Sequence, residues 1–133
     1  MKKRADLVKE WFTKADHDLI AAGSLLKAEE PLNDVIAFHC QQAVEKYLKG
    51  YMIHLGLAFT KTHEIGGLIA VIEGKDPEIT YLKEGADALT DYAVEIRYPE
   101  SHLTPSQEEI KAAIEIVQEV QAYVRSKISE AKS

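Results

Sequence analysis

"NDVIAFHCQQAVEKYLKGYMIHLG", residues 33–56, decides the fold class. Ala37, Cys40, Val44, Tyr47, Leu48, Tyr51 and Leu55 recur every three or four residues, the period of one helix face, and nothing alternates as a strand would. Asn33 or Asp34 can cap the start with a short acceptor side chain, and Gly56 supplies a left-handed stop. Gln41 falls among the apolar positions, where its amide needs partners. Gln42, Glu45, Lys46 and Lys49 form a polar stripe, with Glu45 and Lys49 a favourable pair one turn apart. That stripe reads as a solvated face or as a partner or nucleotide contact on a rigid helix.

The same period extends in both directions. Upstream, Leu7, Trp11, Ala15, Leu19, Ala22 and Leu26 mark a helix over about 4–28, broken at Pro31. Downstream, "LAFTKTHEIGGLIAVIEG" predicts a short helix capped by Thr62 and closed by Gly74. A third long helix is expected from Pro77, with Leu82, Ala86, Leu89, Ala93 and Ile96 as its seam and Pro99 as its stop. "TPSQ" then places Thr104 at a cap, Pro105 in the first turn and Gln107 three residues after the cap. Ile110, Ala113, Ile114, Val117, Val120, Val124 and Ile128 carry the last helix nearly to the end. Short connections between amphipathic helices imply an all-α antiparallel four-helix bundle with an additional short helix, one domain over 1–133.

Bulk composition narrows the function classes. Hydrophobic residues make up 46% of the 133, enough for a real core, and no apolar run approaches the length of a bilayer span. Asp6, Lys9 and Glu10 interrupt the basic start, so no signal peptide is expected and the expected compartment is the cytoplasm. The single cysteine, Cys40, excludes an internal disulfide and a cysteine-built zinc site. A formal net charge of −6 argues against a broad face for duplex DNA. His17, His39, His54 and His63 show no metal-ligand spacing, and no phosphate-binding glycine loop or serine elbow is present; no metal or cofactor is expected.

Two places carry candidate chemistry. Arg97 and His102 sit on the link ahead of Thr104. Arginine grips phosphate oxygens, and histidine exchanges protons near neutral pH. Together they suffice for RNA cleavage in which the ribose 2′-hydroxyl attacks the adjacent phosphate. A solvated turn is the bland alternative. Asp18 shares the Trp11 face of the first helix, as a structural ion-pair partner or as a carboxylate orienting Arg97 or His102.

"WFTKADHDLIAAGSLL" (11–26), "AFHCQQAVEKYLKGYMIHLGLAFTKTHEI" (37–65) and "IRYPESH" (96–102) together resemble the HEPN domain family, named for nucleotide binding in higher eukaryotes and prokaryotes. The resemblance implies a four-to-five-helix bundle that often dimerises. Many members are metal-independent endoribonucleases with an Arg, four to six residues, then a His, and two subunits' motifs meet in one cleft. Arg97 and His102 match that pattern, which implies that Arg97 holds the scissile phosphate and His102 transfers protons. Small bacterial members often act as toxins beside a minimal nucleotidyltransferase. Active nucleases commonly carry Asn, Asp or His directly after the Arg; here stands Tyr98, as in a stand-alone bacterial branch. The alternative function is a non-catalytic nucleotide- or substrate-binding helper of such a nucleotidyltransferase, with Asp18, Gln42, Lys46 and Tyr98 as supporting residues.

Overall fold

The periodicity of residues 33–56 becomes a helix wrapped on nearly every side. The computed structural model describes residues 3–58, 64–95 and 104–132. Every described regular element is helical: α1 (Arg4–Leu26), α2 (Asn33–His54), α3 (Ile65–Glu73), a 3-10 helix (Pro77–Leu82), α4 (Lys83–Asp87), α5 (Thr90–Glu95) and α6 (Gln107–Lys132). Helix α2 is the hub, touching α1, α3, α5 and α6. It buries Ala37, Cys40, Val44, Tyr47, Leu48 and Tyr51 as the spacing predicts, and also Ile36, Ala43, Met52 and Glu45 on the flanks of that stripe. A helix apolar or polar-but-covered all round belongs inside a bundle.

Asp16 meets Tyr47 while Phe12 lies against Gly50, so α1 runs antiparallel to α2. Asn33 meets Pro105 and Tyr47 meets Gln121, so α6 runs parallel to α2. That is the up-down-up-down arrangement, with the segments from α3 to α5 as the third leg. Val8, Phe12, Ala15 and Ala22 form the buried face of α1, one position beyond the predicted Leu7 and Trp11, which are half-buried. The predicted seam of α6 holds: Ile110, Ala113, Val117, Val120 and Val124 are buried.

Three local expectations are corrected. The third long helix is instead the 3-10 helix, α4 and α5 in succession. Gly85 weakens helix there by about 1 kcal/mol relative to alanine. Asp87 and Thr90, at the α4–α5 break, turn their side chains to the N-terminus of α3. Thr90 Oγ1 accepts from Ile65 N–H at 3.0 Å and Asp87 Oδ1 from Gly66 N–H at 2.9 Å. The N-cap position of α3 is therefore Glu64, and its first N–H groups are satisfied from another element; Thr62 lies outside the described residues. A side chain at Gly66 would bring a Cβ within 2.6 Å of Asp87 Oδ1.

The cap of α6 is also two residues later than predicted. Ser106 Oγ accepts from Glu109 N–H at 3.1 Å and Glu109 Oε1 accepts from Ser106 N–H at 3.1 Å, a reciprocal capping box. Pro105 does not contribute its carbonyl to the helix, because that oxygen accepts from Asn33 Nδ2 at 3.0 Å. The bond ties the start of α6 to the first turn of α2.

Candidate functional site

Arg97, Tyr98 and His102 lie outside the described residues. The described chain meets that link at Glu95, which ends α5, and at Thr104, one residue before the carbonyl held by Asn33. Helix α5 packs on α2. Both flanks of the link therefore belong to elements docked on the hub helix.

Asp18 is built into the α1–α2 seam, its side chain 12% exposed. His39 and Lys46, seven residues apart, stand two turns apart on one face of α2 and converge on it. Asp18 Oδ1 lies 2.9 Å from His39 Nδ1, and Oδ2 accepts from Lys46 Nζ at 2.6 Å. A carboxylate oxygen accepts, so His39 Nδ1 is the donor in this bond. The His39 side chain remains 29% exposed. Asp18 thus takes the ion-pair role, with Lys46 and His39 as partners that the sequence did not assign to it.

Gln42 belongs to a different group. Its Nε2 donates to Gln41 Oε1 at 2.7 Å and reaches Glu45 Oε2 at 3.5 Å, while Lys49 Nζ lies 3.5 Å from Glu45 Oε1. The expected solvated stripe is overturned: Glu45 is buried and Lys49 is largely covered, its ammonium 5.9 Å from the Trp11 ring centroid. Helix α1 lies over that face. Gln41 is fully buried with its amide partnered, as the apolar register required.

Two further polar networks carry no sequence prediction. Asp16 accepts from the Tyr47 hydroxyl, from Gln121 Nε2 at 3.1 Å and from Arg125 at 2.6 Å. Burial raises its carboxyl, but the bonds from Arg125, Tyr47 and Gln121 outweigh it and hold the group below the usual value. Asp76, buried, accepts at Oδ2 from both Tyr51 and Tyr123 at 2.6 Å. Burial and then the Asp16 and Asp76 contacts push all three tyrosines well above the phenol range. The available signal was the pair Tyr47 and Tyr51 in the α2 stripe, since a buried hydroxyl needs a partner. Cys40 is a core residue; burial, with the Asp18 charge adding to it, lifts its thiol to about 12. At the far end of α1 from the Asn33 tie, a groove of about 670 Å³ is lined by Arg4, Val8, Phe12, His54, Arg125 and Ile128 among others. Among the described residues no His, Cys, Asp and Glu cluster is placed to hold a metal, and no helix is long and apolar enough to cross a membrane.

The family model of the HEPN domain matches residues 8–127. The chain belongs to the HEPN family. The HEPN fold recurs in the crystal structure of TT1696 from Thermus thermophilus, with 29% identity and a TM-score of 0.72 over 90% of this chain and 97% of that one. It recurs in ST0689, an archaeal HEPN homologue, with a TM-score of 0.74 over 96% and 99% of the two chains; at 21% identity that likeness is one of fold. No curated protein sequence matches the chain. The Asp18–His39–Lys46 group joins α1 to α2, the first two helices of that fold.

Proposed function

We propose that this HEPN protein is a metal-independent endoribonuclease, the toxin-type member of a pair with a minimal nucleotidyltransferase, acting as a homodimer. The observation that carries this reading is the Arg97-x4-His102 spacing, placed directly ahead of the α6 capping box in a HEPN chain. Arg97 binds the scissile phosphate and His102 moves a proton, while the ribose 2′-hydroxyl supplies the nucleophile. Two copies bring two arginines to one cleft, which compensates locally for a chain of net charge −6.

Cleavage of labelled RNA in EDTA, with products ending in a 2′,3′-cyclic phosphate, tests the reading. His102→Ala and Arg97→Ala are each expected to slow cleavage on the order of 10²–10⁴-fold. Tyr98, in the position after Arg97, favours the second reading, a non-catalytic helper that binds nucleotide or substrate for the nucleotidyltransferase. Wild-type and Tyr98→Asn chains that both leave RNA intact decide for that helper.

A further inference from the structure

We propose that the groove between the start of α1 and the end of α6 is a binding site for a small organic monoanion with an apolar body, a fatty acyl or aryl carboxylate. The inference is independent of the ribonuclease reading and goes beyond it. His54, which lines the groove, is the last residue of α2, roughly 30 Å of helix rise from Asn33 and its bond to Pro105. At about 670 Å³ the groove has the size of a small-molecule site.

The floor of the groove is apolar and held in place. Val8 and Phe12, both buried, come from α1, and Ile128 comes from α6. Tyr47 braces the Phe12 ring edge-on, their centroids 5.7 Å apart, and His54 lies parallel to Tyr51 at 6.1 Å. A preformed apolar surface takes up an apolar body without first reordering its own side chains. The charge stands at the rim. Arg125 Nη2 donates to Asp16 at 2.6 Å, and the guanidinium carbon lies 5.8 Å from the Phe12 ring centroid. That fixes the guanidinium beside the floor, with five N–H donors, more than one carboxylate oxygen uses. At the α2 end, a Cβ on Gly56 would come within 3.8 Å of Arg4 Nη1, so the second guanidinium crosses the stop of α2. Lys9 is the third permanent cation of the lining. Asp6 shares that lining and Asp16 stands behind Arg125, which leaves one positive charge in excess. On a chain of net charge −6, that local excess suits a single anion, whereas a polyphosphate would also meet the two carboxylates.

The test is displacement of the fluorescent anion 8-anilinonaphthalene-1-sulfonate from the full chain, with near-UV circular dichroism recorded alongside. Decanoate and 2-naphthoate are the two competing arms, and the tighter of them names the body as acyl or aryl. Either should displace the probe at micromolar concentration, about tenfold more tightly than decanol, and should raise the melting temperature as its concentration rises. Added salt should weaken the carboxylates and leave decanol unchanged. Arg4→Gln should weaken the carboxylates severalfold and spare decanol. Ile128→Trp, or Ala5→Trp from the other wall, places a ring in the groove and should abolish binding, while Lys14→Gln, outside the lining, should not change it. Decanol competing as well as the carboxylates overturns the inference, as does AMP displacing the probe where they do not. So does unaltered binding in a folded Ile128→Trp or Ala5→Trp chain, or carboxylates that act only at millimolar concentration. Probe fluorescence that rises only as the near-UV signal is lost marks a partly unfolded chain, and overturns it equally.

Discussion

The Tyr51 hydroxyl donates to Asp76 Oδ2 at 2.6 Å, tying the last turns of the hub helix to the N-cap of the 3-10 helix in the third leg. Tyr123 of α6 donates to the same oxygen at 2.6 Å, so one carboxylate joins three parts of the bundle. Asp76→Ala strands a fully buried tyrosine hydroxyl and should cost about 1–3 kcal/mol in urea unfolding. Tyr51→Phe combined with Asp76→Ala should cost less than the sum of the two, since the pair acts as a unit.

Acid should unfold the protein through Asp16 and Asp76. For each, burial raises the carboxyl, but hydrogen bonds outweigh it: Arg125 and Tyr47 at Asp16, Tyr123 and Tyr51 at Asp76. Both therefore lie below their ordinary value of 3.8 in the fold. Their stabilisation is complete above that value and disappears as pH falls through the lower folded value. The melting temperature should be nearly level from about pH 6 to 5 and drop steeply below about pH 4. Asp16→Asn or Asp76→Asn should flatten that acid limb.

Two helix glycines should respond in opposite directions. A Cβ at Gly50 would lie 2.7 Å from Phe12 Cε1 and 3.1 Å from Trp11 Cβ, inside the α1–α2 contact. Overpacking there costs about 1–3 kcal/mol, more than the roughly 1 kcal/mol that alanine gains in helix propensity. A Cβ at Gly23 meets nothing within 4 Å. Gly50→Ala should lower the melting temperature and Gly23→Ala should raise it.

What the sequence made legible follows from the range of each interaction. Apolar spacing is local, so the long helices α1, α2 and α6 emerge from it with ends good to a few residues. The α6 cap shows the limit. Thr104 with Gln107 and Ser106 with Glu109 both fit a capping box, and the choice is made by Asn33, 72 residues away, which takes the Pro105 carbonyl. The broken third leg has the same origin, since Asp87 and Thr90 serve the end of α3 rather than a continuous helix. At the candidate site, Asp18 and Lys46 were visible as charged residues on helix faces. Their meeting with His39 depends on the register of α1 on α2, which no local pattern encodes. Arg97 and His102 were legible as a motif through family resemblance alone.

Cys40 should be inert in the native protein. It is fully buried, and at a thiol pKa of about 12 the thiolate fraction near pH 8 is on the order of 10⁻⁴. Iodoacetamide should leave the native chain unmodified over hours and label it promptly in urea. Labelling of the native protein at the rate of a free thiol would show that the α1–α2 seam opens locally.

The ribonuclease reading also predicts how activity depends on concentration. Each chain supplies one motif arginine and one motif histidine, and a net charge of −6 disfavours any broad cationic surface for an RNA backbone. A cleft completed by a second copy works only while the copies stay together, and a two-fold dimer presents both links to the same place if they lie near its axis. Light scattering at micromolar concentration should give twice the 14.9 kDa chain mass. Cleavage rate per chain should hold steady above the dimer dissociation constant and then fall in proportion to concentration as the dimer separates. A rate per chain unchanged through a dilution that yields monomers by mass would place the whole cleavage site within one copy.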